Sequence, residues 1–226
     1  MIYPTKEHFI NIHTHKKASS RHEWILRNAF FVLPPQTLHH LDYAVSVGLH
    51  PWFATEAQDI SQNLASYLKL ENVLAIGEIG LDRVNGPNLE LQKQVFQKQL
   101  AIAEAYQKPV IIHAVKAYAD VMSYLKLLSV PFLLHGFNGN LHQLNQFLKY
   151  PKVYFSFGQD LFYEDSKAAK TFKEVPADRF FLETDTAHLQ IEELYQQAAK
   201  IRKMEIAQLK RQVFYNFEAV FKRLTT

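Results

Sequence analysis

Eight apolar stretches recur along the chain, and most lack the polar alternation of a strand that faces water on one side. They run over residues 8–14, 24–32, 43–49, 73–79, 109–114, 131–136, 152–158 and 180–185, and they are rich in Val, Ile, Phe and Leu. Strands buried on both faces read this way, and such burial belongs to parallel sheets covered by helices. Helix-like segments stand between them, over 56–70, 88–107, 116–128, 139–149, 164–174, 189–200 and 205–223. In 88–107 the apolar positions 91, 95, 96, 100, 102 and 103 share a helical period, and Pro109 follows as a stop.

Strands alternating with helices predict an α/β fold, a TIM-type (β/α)8 barrel. Its first βα units are shortened. Residues 15–23 alone join the first two strand candidates, and the link Leu33 to Asp42 is too short for a full crossover helix. The 226 residues fit one domain, 1–226, with enough chain for a sizeable core. No run approaches the roughly 18 apolar residues of a membrane span, and the first residues lack the pattern of a signal peptide. With no cysteine, disulfides and thiolate metal sites are excluded, and a cytoplasmic location is the expectation. The net charge of +3 is compatible with a polyanionic substrate without requiring one. The densest basic cluster, Lys200, Arg202, Lys203, Lys210 and Arg211, reads as a solvated helix face.

Six of the apolar runs end in residues able to hold a divalent ion: His13 and His15, His50, Glu78, His113, His135, and Asp185. Parallel barrels assemble one site from such strand ends. His13 and His15 occupy positions i and i+2 of a strand and share a face. Glu78, set among apolar neighbours, requires a partner, because burying a bare charge costs several kcal/mol. That partner is either a metal or a cation such as Arg83. His113 and His135 taken singly are as well explained as hydrogen-bonded core histidines. Glu183-Thr184-Asp185 has an alternative reading as a helix cap with an acidic first turn. Imidazoles and carboxylates without thiolates suit Zn, Mn, Fe or Ni, with Mg a less natural fit. Two such cations activate water and neutralise a transferring phosphoryl group, which makes metal-assisted hydrolysis the expected reaction.

The same residues, in the same order, resemble the TatD family of metal-dependent deoxyribonucleases among the amidohydrolase-like TIM barrels. Ile12-His13-Thr14-His15 resembles the family's opening H-x-H, and Gly48-Leu49-His50-Pro51 its G-[IL]-H-P. Gly77-Glu78-Ile79-Gly80-Leu81-Asp82 is similar to its most specific signature. The stretch from Gln92 to His113, the segment His135-Gly136-Phe137-Asn138-Gly139, Glu183-Thr184-Asp185, and Asn216 to Phe221 follow its later motifs.

The resemblance implies two divalent metal ions. His13, His15 and Asp185 would hold one, His113 and His135 the other, with Glu78 bridging. Asp185 would orient or deprotonate the attacking water, His50 would lie near the scissile phosphate, and Glu183 would support the ligands. The implied substrate is DNA or another phosphate ester. Asn11 stands where the family often has Asp, and Val115, followed by Lys116, stands at the Arg of its common H-x-R. Shorter loops after His15 and Asp185 leave two rivals: a small-molecule amidohydrolase or phosphoesterase, and a metal-stabilised binding protein without catalysis.

Overall fold

The computed structural model describes residues 2–29, 34–55 and 60–221. Among the described residues, eight strands and eight helices follow one another, mostly in alternation. They are β1 (Phe9–Thr14), β2 (Glu23–Asn28), α1 (Pro35–His39), β3 (Ala44–Val47), α2 (Ile60–Tyr67), β4 (Val73–Asp82), α3 (Leu89–Tyr106), β5 (Val110–Val115), α4 (Tyr118–Met122), β6 (Phe132–Leu134), α5 (Leu141–Phe147), β7 (Val153–Phe157), α6 (Lys167–Glu174), β8 (Phe180–Leu182), α7 (Ile191–Arg202) and α8 (Ile206–Val220). The sheet order follows the chain order from β1 to β8. The strand pairings run parallel. This is the α/β TIM-type barrel fold, with the first βα units shortened as expected.

The differences from the expected elements are local. The second strand was expected to run to 32; it ends at Asn28, and 30–32 lie outside the described residues, as do 56–59 of the first expected helix and 222–223 of the last. The link before β3 holds the five-residue α1, opened by Pro34 and Pro35, whose fixed φ suits a first turn. The helix expected over 116–128 divides into α4 and a single turn at Leu125–Leu127. β4 is longer than expected, ten residues and buried throughout.

The chain forms two compact units, Tyr3–Arg27 with His135–Thr226, and Asn28–Leu134. In the first, Phe137, Phe147, Phe155 and Phe157 pack edge to face, with ring centroids 4.8–6.3 Å apart. Tyr195 of α7 is fully buried; its hydroxyl accepts from the Ile10 amide and donates to the Ile10 carbonyl, both at 3.1 Å. Burial pushes its pKa up, so the hydroxyl stays protonated and fastens α7 to β1. Asn216 donates to the carbonyls of Ala177 and Phe180 at 2.8 Å each, which ties α8 to the start of β8 and accounts for that residue of the closing motif.

The basic face read as solvated is only partly so. Lys200, Lys203 and Arg211 are exposed. Arg202 donates to the carbonyls of Lys173 and Val175 and lies over the rings of Phe172 and Phe180 at 5.1 and 4.9 Å. Its long stem and planar head pack where a small cation would not.

In the second unit, Leu49, Ala54 and Val95 form a buried cluster flanked by Leu91 and Ile102. Glycines let its strands close up. A Cβ on Gly48 would lie 2.6 Å from the Ile79 side chain, and one on Gly80 would lie 2.0 Å from the His113 carbonyl oxygen. No helix among the described residues is long and apolar enough to cross a membrane.

Candidate metal centre

In the second unit three expected site residues meet. His50, Glu78 and His113 are all buried and offer ligand atoms within 4.8 Å of one another. His50 follows β3, where the fully buried Gln99 of α3 clamps the preceding residue: its carbonyl accepts from the Leu49 amide at 2.8 Å and its amide donates to the Leu49 carbonyl at 3.1 Å. His50 Nδ1 accepts from the Trp52 amide at 3.2 Å, which leaves the ring proton of the neutral imidazole on Nε2, 3.3 Å from Glu78 Oε1. With its proton there, His50 is a donor toward an anion rather than a lone-pair ligand.

Glu78 Oε1 lies 2.7 Å from His113 Nδ1. Its other oxygen accepts from the Asn28 amide at 3.2 Å, and Asn28 Oδ1 accepts from the Glu78 backbone N–H. A salt bridge of Glu78 with Arg83 does not form. Arg83 instead makes a two-pronged pair with Asp120 at 2.8 and 2.9 Å.

Asp82, quoted in the signature but given no role from the sequence, completes this group. Its Oδ2 accepts from the Trp52 indole at 2.6 Å and lies 3.2 Å from His113 Nε2, while Oδ1 accepts from the amides of Val84 and Asn85 at 2.7 and 2.9 Å. Burial would raise its pKa, but these hydrogen bonds, Trp52 foremost, hold it down at about 2. An ionised Asp82 that accepts a hydrogen bond from Nε2–H orients the His113 ring so that Nδ1 faces Glu78 Oε1. Carboxylates behind metal-binding imidazoles set ring orientation and basicity in this way.

The first unit gathers the other four candidate ligands. His13 is fully buried in β1 and His15 follows the strand. Their Nε2 atoms lie 3.7 and 3.4 Å from Asp185 Oδ1. The backbone fixes Asp185 as well: its N–H donates to the His13 carbonyl and its carbonyl accepts from the His15 amide. Asp185 adopts a left-handed φ of 47°, a region Asp tolerates better than most residues. It caps no helix, since α7 begins at Ile191 with Gln190 as its cap.

The rings of His13 and His135 are 4.5 Å apart. His135 Nδ1 faces Glu183 Oε1 at 3.3 Å, and Glu183 also accepts from the Gly136 amide and the Ser156 hydroxyl. Burial alone would protonate Glu183; the neighbouring His135, chiefly, and His13 outweigh it and lower its pKa. Glu183 thus faces His135 from within the unit.

The Asn11 departure also has a physical reason. Its amide donates to Glu23 Oε1 at 2.8 Å and to the Thr184 hydroxyl at 2.7 Å, and its carbonyl accepts from the Thr184 amide at 3.0 Å. An Asp there would set a carboxylate against Glu23. Asn11→Asp is therefore expected to destabilise the fold by about 1–3 kcal/mol. A urea midpoint equal to wild type at pH 7 would contradict this account. Lys116, which follows Val115 at the place of the family's Arg, is exposed after β5 with a φ of 52°.

The sequence left Asp82, Asn28 and Gln99 without a role. Each is a buried polar residue, and only Asp82 stood in a motif.

Buried imidazoles and carboxylates at the ends of parallel strands are the layout of metal-dependent hydrolases built on this barrel. The chain belongs to the TatD family: the profile of TatD related DNase matches residues 36–222. The matched span begins after His13 and His15. An uncharacterized metal-dependent hydrolase, YabD, of Bacillus subtilis is 33% identical over 153 residues, 64% of this chain and 58% of that protein. A protein of Pantoea ananatis named 3'-5' ssDNA/RNA exonuclease TatD is 29% identical over 209 residues, covering 80% and 79%. The crystal structure of the TatD homolog YjjV from Escherichia coli K12 superposes with a TM-score of 0.84 at 22% identity, over 97% of this chain and all of that one. The alignments span little more than half the length of the first curated relatives.

Proposed function

We propose that this chain is a single-domain, metal-dependent phosphodiesterase that cleaves single-stranded nucleic acid, DNA first, from an end. The observation that carries the reading is the buried His50–Glu78–His113 group with an ionised Asp82 behind it. The relative from Pantoea ananatis, named a 3'-5' ssDNA/RNA exonuclease, supports an unpaired strand as substrate. A cytoplasmic location remains part of the proposal.

His13, His15 and Asp185 would hold one divalent ion, His113 and His135 a second, and Glu78 would serve both. The donor set fits: imidazoles held by Asp82 and Glu183, with carboxylates and no thiol. Bound ions of this kind lower the pKa of water and offset charge on a phosphoryl group. The side chains do the rest. Asp185 would accept the proton of an attacking water, a reading supported by its 40% exposed side chain. His50 would lie near the scissile phosphate.

The purified protein should carry divalent metal and degrade 5'-labelled single-stranded DNA with Mn, Mg, Co or Zn. Chelation should stop the reaction, and added metal should restore it. No DNA cleavage with any of these ions, alongside turnover of small phosphoesters, would reject DNA as the substrate.

A further inference from the structure

We propose that Trp52 and Phe53 form a shelf on which one unpaired base stacks, beside the phosphate that His50 contacts. This rests on the nucleic-acid reading above and assigns a binding role to residues that reading leaves unused. Both side chains are large and open to water, Trp52 at 46% and Phe53 at 58% exposure, and both adjoin His50, with ring centroids 4.8 and 6.1 Å away. The indole is also 6.1 Å from the His113 ring. Lone exposed aromatics are ordinary on a surface. Two consecutive ones against a buried donor group are a surface built for contact.

The shelf is rigid before anything binds. The Trp52 indole is held by Asp82 at 2.6 Å and its backbone amide by His50 Nδ1 at 3.2 Å. The loop after β4 backs it closely: a Cβ on Gly86, whose φ is 88°, would come within 2.9 Å of Trp52 Cα and 3.1 Å of the Pro51 carbonyl. Gln92 pins that loop by donating to the carbonyls of Asp82, Asn85 and Pro87. A fixed ring loses little side-chain freedom on binding. Every base has a π face, so a shelf of this kind is tolerant of sequence, as suits an enzyme that works along a strand.

Two tryptophans make the test direct. Trp24 is 3% exposed, so red-edge emission reports Trp52. The full chain is titrated, at fixed salt, with a thymidine pentamer carrying hydrolysis-resistant phosphorothioate linkages. A matched pentamer has abasic sites in place of its bases. The first should quench the red-edge emission; the second should bind roughly 5- to 150-fold more weakly, without quenching. Phe53→Ala should weaken binding of the thymidine pentamer by a factor in the same range. Trp52→Phe, which keeps a ring but loses the Asp82 bond, should fall between. Leu127→Ala, at an equally open position, should bind as wild type does. Equal affinity for the two pentamers without quenching overturns the shelf and leaves the phosphodiesterase reading standing. If neither pentamer binds, both readings fall.

Discussion

Glu78→Gln is expected to lower metal-dependent turnover by more than the roughly 10–100-fold that loss of an outer partner of a metal ligand costs. The substitution keeps shape and volume but removes the charge. Glu78 is 4% exposed, with His113 Nδ1 and His50 Nε2 at 2.7 and 3.3 Å from one oxygen. An amide there no longer attracts a cation strongly. The glutamine's carbonyl oxygen can keep the bond from the Asn28 amide while its NH2 group faces His113 Nδ1, so the fold should survive. Metal content per chain should fall together with activity, while the urea midpoint stays within about 1 kcal/mol of wild type. Arg83→Ala is the companion control, since Arg83 pairs with Asp120 at the surface. Wild-type metal content and turnover in Glu78→Gln would remove Glu78 from the centre.

Gln92→Ala is expected to destabilise the protein by about 2–4 kcal/mol, read as a lowered urea midpoint. Gln92 is 1% exposed and makes four hydrogen bonds. Its carbonyl accepts from the Asp82 amide, and its amide group donates to three carbonyls of the following loop. Truncation strands buried backbone groups rather than merely removing a contact. Gln92→Glu should do comparable damage, because a carboxylate cannot donate to the three carbonyls. A cost below about 0.5 kcal/mol for both variants would show that water replaces the side chain without penalty, against this account.

Most strands were legible because burial on both faces leaves an unbroken apolar run, as in β4 and β5. Boundaries were less so where a turn replaces a helix. Residues 116–128 carry helix-forming side chains, yet Lys116 takes a left-handed φ and the segment splits before Leu125–Leu127. The candidate ligand residues stood out because charge at the end of an apolar run demands a partner. Their supports did not. Asn28 sits on β2 and Gln99 in mid-helix, and nothing local marks an amide that will serve a backbone fifty residues away. The choice between Arg83 and a metal for Glu78 depended on where a long side chain reaches, which spacing alone does not fix. Asn11 looked like a weakened support; Glu23, twelve residues on, makes the amide the chemically consistent choice.

Gln92 and Gln99 stand seven residues apart on α3, two turns, and therefore on one face of the helix. One grips the backbone of Asp82 and the other that of Leu49, so α3 acts as a rail to which both active loops of the second unit are bolted. A helix opening that frees one glutamine frees its neighbour two turns on. The Leu49 and Asp82 amides, each donating to one of these side chains, should then exchange their hydrogens with solvent at a common rate. His50 and Asp82 would lose their places in the same event, making occupancy of the centre a gauge of whether α3 is closed.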